Sequence, residues 1–330
     1  MNTLVDSFQR NIRYLRLSVS DQCDLRCSYC IPKGFTGFQE PDSWLKFDEI
    51  IQVLKLFTVN GVHSVRITGG EPLLRKNLPE LTEQIRALPQ INDIAISTNA
   101  VRLRNFAGPL KQAGVNRLNI SLDSLKPERF RAITGGKLEK VLSGLSEADE
   151  AGFRNTKINM VVMKGVNDDE VEDMLEFCVQ RQYTLRYIET MPMGDTGRLA
   201  STHYVNLQSV KQSLSERYNL IPEIPAANTH GMGPARYMQI AGTMARVGFI
   251  TPISEHFCES CNRVRLSVDG TLYPCLGQNN AVALGAALRN GVNDQDLLML
   301  IRQSITQKPE RHEFKSKPEQ ILRFMSVTGG

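Results

Sequence analysis

Cys23-Asp-Leu-Arg-Cys27-Ser-Tyr-Cys30 places three thiols on eight consecutive residues. Three thiolates on one short loop can converge on a single metal centre. In a four-iron cubane, three cysteines leave one iron without a protein ligand, whereas most cubanes take four. An open iron can bind and activate a small molecule, so the count of three is a chemical statement. The alternative is a zinc site completed by a distant ligand. Zinc sites commonly pair cysteines as C-x2-C with a second pair further on, and the spacing of three and then two residues departs from that pattern.

A second group follows: Cys258-Glu-Ser-Cys261 and, after thirteen residues, Cys275. On spacing alone, a zinc ribbon with His256 or His230 as fourth ligand stands level with a second open-sided cluster. Arg263 and Arg265 lie between these cysteines. Arginines at i and i+2 on a strand point to one face, and a guanidinium forks onto phosphate oxygens. Of the seven cysteines, Cys178 stands alone and reads as a small buried hydrophobe. An odd number fits poorly with a disulfide framework, and clustered thiols in a reducing compartment bind metal or do chemistry. The five histidines (His63, His203, His230, His256, His312) show no pattern.

Repeated strand–helix units must position the first group. Candidate strands are Arg13–Ser20, Ser64–Thr68, Asp93–Thr98, Arg117–Ser121, Lys157–Val162 and Leu185–Glu189. Candidate helices are Phe47–Asn60, Leu78–Ala87, Asn105–Ala113, Leu138–Ala151 and Asp169–Gln180. Asp48 and Asp169 sit where a carboxylate accepts orphan backbone N–H groups. Gly61, Gly114 and Gly152 sit where a helix C-terminus needs positive φ. The alternation implies a parallel sheet with right-handed crossovers. A closed eight-stranded barrel takes about 250 residues, so six units imply a partial, open barrel, with a doubly wound sheet as the competing geometry.

After Glu189 the pattern changes, which divides the chain into residues 1–190 and an α+β part, 191–330. Met191–Gly197 reads as a breaker-rich loop. A helix is expected at Leu207–Tyr218, strands at Tyr237–Ile240 and Arg246–Ile250, and helix across residues 281–305.

The chain is 41% hydrophobic and 22% charged, the composition of a globular protein with a sizeable core. Its net charge of +4 is too mild to argue for nucleic acid or a membrane surface. No apolar run approaches a membrane helix and no secretory segment is evident, so a cytoplasmic location is expected.

The first cysteine group, followed by Gly69-Gly70-Glu71-Pro72 after the second strand, resembles the radical S-adenosylmethionine (SAM) superfamily. Bottom-up, paired glycines let backbone approach a ligand closely, at the strand ends where barrels place ligands. Further segments narrow the resemblance: Tyr14–Ser20, Val65–Leu73, Asn119–Asp123, Gly233–Tyr237, Gly248–Pro252, the Cys258–Cys275 stretch with its arginines, and Gly329-Gly330. Together they resemble the GTP 3′,8-cyclase family of molybdenum cofactor biosynthesis, often called MoaA.

That resemblance implies a partial (βα)6 TIM-like barrel of the radical SAM type with a C-terminal cluster-binding domain, two 4Fe-4S clusters and SAM. Cys23, Cys27 and Cys30 would hold the SAM cluster, and Cys258, Cys261 and Cys275 the auxiliary one, whose open iron would bind guanine. Tyr29, Gly70, Ser121 and Met191 fall at SAM contacts. Arg16, Arg66, Ser97, Lys157, Arg263 and Arg265 fall at GTP contacts, with Asn99 and Arg186 as further candidates. Charged residues on strands must face a cavity or a partner, which a triphosphate supplies.

The implied reaction is cleavage of SAM to a 5′-deoxyadenosyl radical, loss of the ribose 3′ hydrogen of GTP, and bonding of that carbon to C8 of guanine. The implied partners are a low-potential flavodoxin- or ferredoxin-like donor and the downstream cyclic pyranopterin monophosphate synthase, with neither nucleic acid nor membrane; the chain would be a monomer or homodimer. Gly329-Gly330 would thread toward the active site. Asp24, Ala100 and Gly277 depart from the family pattern, as does Val327-Thr328. Two other readings stand beside this one: a radical SAM enzyme acting on a peptide, which the arginine pair and Gly-Gly argue against, and a two-zinc nucleic-acid-binding protein, which the low charge argues against.

Overall fold

The computed structural model describes residues 3–31, 41–223 and 233–329. His230 and Gly330, named above, lie outside them. Strands and helices alternate through the first half: β1 (Tyr14–Ser18), α1 (Phe47–Thr58), β2 (Ser64–Thr68), α2 (Leu78–Arg86), β3 (Asp93–Thr98), α3 (Leu103–Gln112), β4 (Arg117–Ser121), α4 (Pro127–Thr134), α5 (Leu138–Glu150), β5 (Lys157–Val161), α6 (Val171–Gln180) and β6 (Thr184–Ile188). The second half adds α7 (Gly194–Ala200), α8 (Leu207–Tyr218), β7 (Leu220–Pro222), β8 (Arg236–Ile240), β9 (Arg246–Ile250), β10 (Arg263–Leu266), β11 (Thr271–Tyr273), β12 (Val282–Ala283), α9 (Leu284–Arg289), α10 (Asp294–Thr306) and α11 (Met325–Thr328).

Among the described residues the strands form one sheet, in the order β12-β11-β10-β1-β2-β3-β4-β5-β6-β9-β8-β7. β1 to β6 run parallel in sequence order, as expected of a six-unit array. The second half joins both of its edges: β10 pairs parallel with β1, and β9 parallel with β6. The array is therefore open, with β1 and β6 each bonded to a strand from later in the chain. β9 and β10 flank opposite edges, yet Ile250 and Arg265 line one cavity. The sheet curves toward that cavity.

Period-two alternation gives the sheet two chemically different faces. The outer face carries Leu15, Val65, Ile96, Ile120, Leu185 and Val264, all fully buried. These residues pack in one continuous apolar core with helix residues such as Leu54, Leu81 and Leu110. The inner face carries Arg16, Arg66, Ser97, Asn119, Lys157, Asn159 and Arg186. Register places them side by side: Arg265 beside Arg16, Arg16 beside Arg66, Ser97 beside Asn119, Asn119 beside Lys157, and Asn159 beside Arg186.

Several local expectations change. Met191–Gly197 is not all loop, because α7 begins at Gly194. Gly197 packs there so tightly that a Cβ would meet the Met191 carbonyl oxygen at 2.5 Å. Residues 281–305 are not all helix: the short strand β12 comes first, and two helices follow, separated at Asn290-Gly291, where Gly291 takes φ +79°. Asp169 ion-pairs with Arg129 and Lys126 instead of capping a helix. At α1 the Glu49 carboxylate accepts the Lys46 N–H. Gly61, Gly114 and Gly152 do follow helices at positive φ, and Cys178 is buried on α6.

The two faces contribute differently to stability. Ile96→Ala removes an outer-face contact and is expected to lower the unfolding free energy by about 2–5 kcal/mol. Ser97→Ala deletes a buried hydroxyl that has no hydrogen-bond partner among the described residues, and is expected to change it by less than about 1 kcal/mol. Urea titrations of the two variants check the contrast.

Candidate active site

The first cysteine loop leaves the C-terminal end of β1, where parallel sheets place ligands. The Gly69-Gly70-Glu71 segment holds it from the side. Gly70 N–H donates to the Ser20 carbonyl and Glu71 N–H to the Gln22 carbonyl, both at 2.7 Å. A Cβ on Gly69 would meet Ser20 O at 2.0 Å, and one on Gly70 would meet Gln22 O at 2.2 Å. The close approach these glycines permit is therefore to the chain's own backbone, beside the cysteines. Glu71 is fully buried and braces the assembly, accepting from Leu73 N–H, Thr98 Oγ1 and Asn99 N–H.

The strand ends that follow gather the other residues of this half. Asn99 Nδ2 reaches Cys23 Sγ at 3.6 Å and Asp24 Oδ1 at 2.8 Å. Tyr29 Oη donates to Asp123 Oδ2 at 2.7 Å, and Asp123 Oδ1 accepts from Val161 N–H. Burial pushes the Asp123 carboxyl up to about 6. Ser121 stands exposed at the end of β4.

The second half of the site is a cavity with about 850 Å³ of atom-free space, its solvent mouth included. Arg16, Arg66, Arg186, Arg263 and Arg265 line it, together with Cys258, Cys261, Cys275 and Met191. None of these five arginines has a carboxylate partner among the described residues, whose ion pairs lie elsewhere. The Nε atoms of Arg16, Arg66, Arg186 and Arg265 are buried and have no hydrogen-bond partner there. Arg186 Nη2 donates to Asn119 Oδ1 at 2.5 Å, and Arg263 lies 5.2 Å from the Phe257 ring centroid. Burial above all, then the neighbouring cations, lowers Arg66 and Arg265 to about 10 and Arg16 well below its ordinary value. Uncompensated buried cations are costly, and a bound polyanion offsets that cost.

Two expected contacts lie outside this cavity wall. Lys157 shares the inner face, but its Nζ reaches Tyr237 Oη at 3.3 Å, and burial lowers it to about 8. Ser97 Oγ is buried on the same face without a partner among the described residues. The cavity also holds residues that sequence reasoning did not single out. Asn159 repeats the polar alternation from Lys157, a readable signal. Lys308, whose Nζ donates to the Arg263 and Pro274 carbonyls, and His312, whose ring centroid lies 4.7 Å from that of Phe314 at a 40° tilt, had no such signal.

Residues 17–178 match the model of the Radical SAM superfamily, and residues 183–314 match Molybdenum Cofactor Synthesis C. A GTP 3′,8-cyclase of Hydrogenovibrio crunogenus is 43% identical over 330 residues, covering 99% of each chain. One of Ectopseudomonas mendocina is 44% identical over 336 residues, covering all of this chain and 99% of its own. The chain belongs to the GTP 3′,8-cyclase family. Among solved structures, Streptococcus suis SuiB bound to S-adenosylmethionine has a TM-score of 0.60 at 17% identity, over 88% of this chain and 68% of its own, a likeness of fold.

Radical SAM domains work with SAM and an iron–sulfur cluster, and the donors present fit such a group. All six clustered cysteines are free thiols. Within each group they influence one another electrostatically, as near neighbours do. The Leu25 backbone N–H donates to Cys23 Sγ at 3.4 Å. Such N–H···S contacts tune iron–sulfur sites. Among the described residues no three His, Cys, Asp or Glu side chains are grouped to hold one ion; cubane thiolates each bind a separate iron.

The family departures have local reasons. Asp24 bridges Asn99 and Arg102. Ala100 adopts φ +61°, a conformation that glycine takes more readily. At Gly277 a Cβ would meet His312 Cβ at 2.6 Å, so the space of a larger residue is already filled by His312 and Phe314.

Cys261 sits in a field opposite to that of Cys23 and Cys30. Burial pushes Cys23 and Cys30 up to about 12. At Cys261 burial acts in the same direction, but Arg263, Lys308 and Arg265 together outweigh it and bring the thiol to about 6. Thiolates, not thiols, alkylate. In the metal-free chain at pH 7, Cys261 is expected to react with iodoacetamide well before Cys23 and Cys30, read by peptide mass mapping.

Proposed function

We propose that this chain is a radical SAM GTP 3′,8-cyclase, a lyase that converts GTP to (8S)-3′,8-cyclo-7,8-dihydroguanosine 5′-triphosphate, the first step of molybdenum cofactor biosynthesis. The observation that carries this reading is the cavity itself: five arginines without carboxylate partners among the described residues share one wall with three free thiols. The family's curated members bear that activity in their names.

In this reading Cys23, Cys27 and Cys30 hold the first cluster, and Tyr29, Gly70, Ser121 and Met191 receive SAM. When bound, the cluster and SAM supply a 5′-deoxyadenosyl radical. Arg16, Arg66, Arg263 and Arg265 grip the triphosphate by bidentate, charge-assisted hydrogen bonds. Ser97 and Lys157, on the same inner face, extend the grip along the nucleotide. Cys258, Cys261 and Cys275 hold a second cluster at the guanine end. The curved sheet thus fixes both ends of GTP, so that the ribose 3′ carbon and guanine C8 stay in bonding reach while the buried wall excludes water and other quenchers. Residues 1–190 act as the radical-generating unit and 191–330 as the substrate unit. The matched segments, 17–178 and 183–314, support that division. A low-potential flavodoxin- or ferredoxin-like protein supplies the electrons, and cyclic pyranopterin monophosphate synthase takes the product.

Anaerobic reconstitution tests the reading. About eight irons per chain in two cubanes, and 5′-deoxyadenosine formed only when GTP is present, are the expected results. Two zincs without sulfide, or SAM cleavage indifferent to GTP, would refute it. Arg265→Ala removes a charged phosphate contact and is expected to weaken GTP binding by about tenfold to a hundredfold, measured by calorimetry on the reconstituted protein.

A further inference from the structure

Tyr237 gathers a cation from each half of the chain. On β8 it faces Gly248 of β9, and Gly248 in turn faces Arg186 of β6. A Cβ on Gly248 would meet Tyr237 Cε1 at 2.8 Å and Arg186 Cγ at 3.1 Å. The missing side chain is what lets the phenol lie across β9 toward the inner face. There Lys157 Nζ donates to Tyr237 Oη at 3.3 Å and lies 5.4 Å from the ring centroid. The Arg246 guanidinium lies 4.7 Å from the same centroid, a contact that attracts a cation to the ring. Arg246 is itself fixed, since its Nε and Nη2 donate to Glu223 Oε2 at 3.0 and 2.6 Å. Lys157 stands beside Asn119, whose Oδ1 accepts from Arg186 Nη2, and Arg186 lines the arginine cavity. The Lys157–Tyr237 pair therefore borders that cavity.

We propose that Tyr237 is a positioning residue for nucleotide binding: its hydroxyl holds the Lys157 ammonium at the edge of the arginine cavity, while Arg246 and Glu223 fix the ring. This inference rests on the reading that Lys157 contacts GTP. A lysine is a point charge on a flexible stem. A fixed acceptor removes that freedom before the ligand arrives, so less affinity is lost on binding. The phenol also favours the charged amine. Burial lowers Lys157 to about 8, Tyr237 counteracts it, and Arg186 on β6 and Arg117 on β4 reinforce it. Arg117 is ion-paired with Asp93 on β3. The protonated amine is the form that binds an anion, so affinity for GTP falls as pH rises through about 8. Without the Tyr237 hydroxyl that fall begins at lower pH.

The test is calorimetric titration of GTP into the reconstituted full-length protein, at pH values below and above 8. Tyr237→Phe keeps the ring on Arg246 and deletes the hydroxyl. It is expected to weaken binding by about threefold to tenfold at neutral pH and to move the alkaline fall to lower pH. Lys157→Arg carries its charge at every pH in the range, so it is expected to abolish that fall. Lys157→Met is expected to weaken binding, and in its background Tyr237→Phe should cost nothing further, the mark of two residues acting as one. A loss from Tyr237→Phe that is the same with and without Lys157, or an unmoved pH profile, overturns the positioning while leaving the proposed function intact. Parent-like affinity in Lys157→Met removes Lys157 from the nucleotide site and overturns the positioning with it. Failure of the parent protein to bind GTP overturns the proposed function as well.

Discussion

The arginines of the inner face are held where no carboxylate among the described residues neutralises them. Arg16, Arg66, Arg186, Arg263 and Arg265 project into one cavity, and the Nε atoms of four of them are buried without a partner among the described residues. Each cation sits on a strand whose next residue lies in the apolar core: Leu15 and Leu17 flank Arg16, Val65 and Ile67 flank Arg66, and Val264 and Leu266 follow Arg263 and Arg265. The hydrophobic effect on the outer face offsets the electrostatic cost on the inner one. The closure at β1–β10 matters most, because it sets Arg265 directly beside Arg16. Residues from opposite halves of the chain thereby converge on one cavity.

The cysteine groups extend the same electrostatic division. The first lies among carboxylates, with Glu71 and Asp24 near Cys23 and Asp123 near Cys27. In the second, Cys261 lies among Arg263, Lys308 and Arg265. Cationic surroundings at the second end favour an anion there, while carboxylates surround the first. Proximity of the two ends is enforced by the sheet, since Met191, after β6, shares the cavity wall with Cys275, after β11.

Much of this was legible in the sequence. The six parallel strands lie within about two residues of their expected ends, because short β-branched runs between amphipathic helices leave little freedom. The charged positions on those strands pointed inward as expected, since alternation fixes their face. What escaped was long-range or local in a less obvious way. The joining of β9 and β10 to opposite edges of the array pairs residues far apart in sequence, and nothing local encodes it. α7 forms in a glycine-rich stretch because tertiary packing overrides propensity. α4 carried a signal that went unread: Pro127 at its first turn and Gly135 at φ +73° after its end. Lys308 and His312 reach the cavity only through the packing of the segment after α10.

The central claim is that the unpartnered arginines exist for a triphosphate. The most direct measurement is the thermal unfolding midpoint of the reconstituted protein with GTP, and separately with guanosine at equal concentration. A ligand that binds only the folded state raises stability by mass action. The account predicts a clear rise with GTP that shrinks as salt is added, and little with guanosine. Equal stabilisation by the two, or none by GTP at any salt concentration, would contradict it.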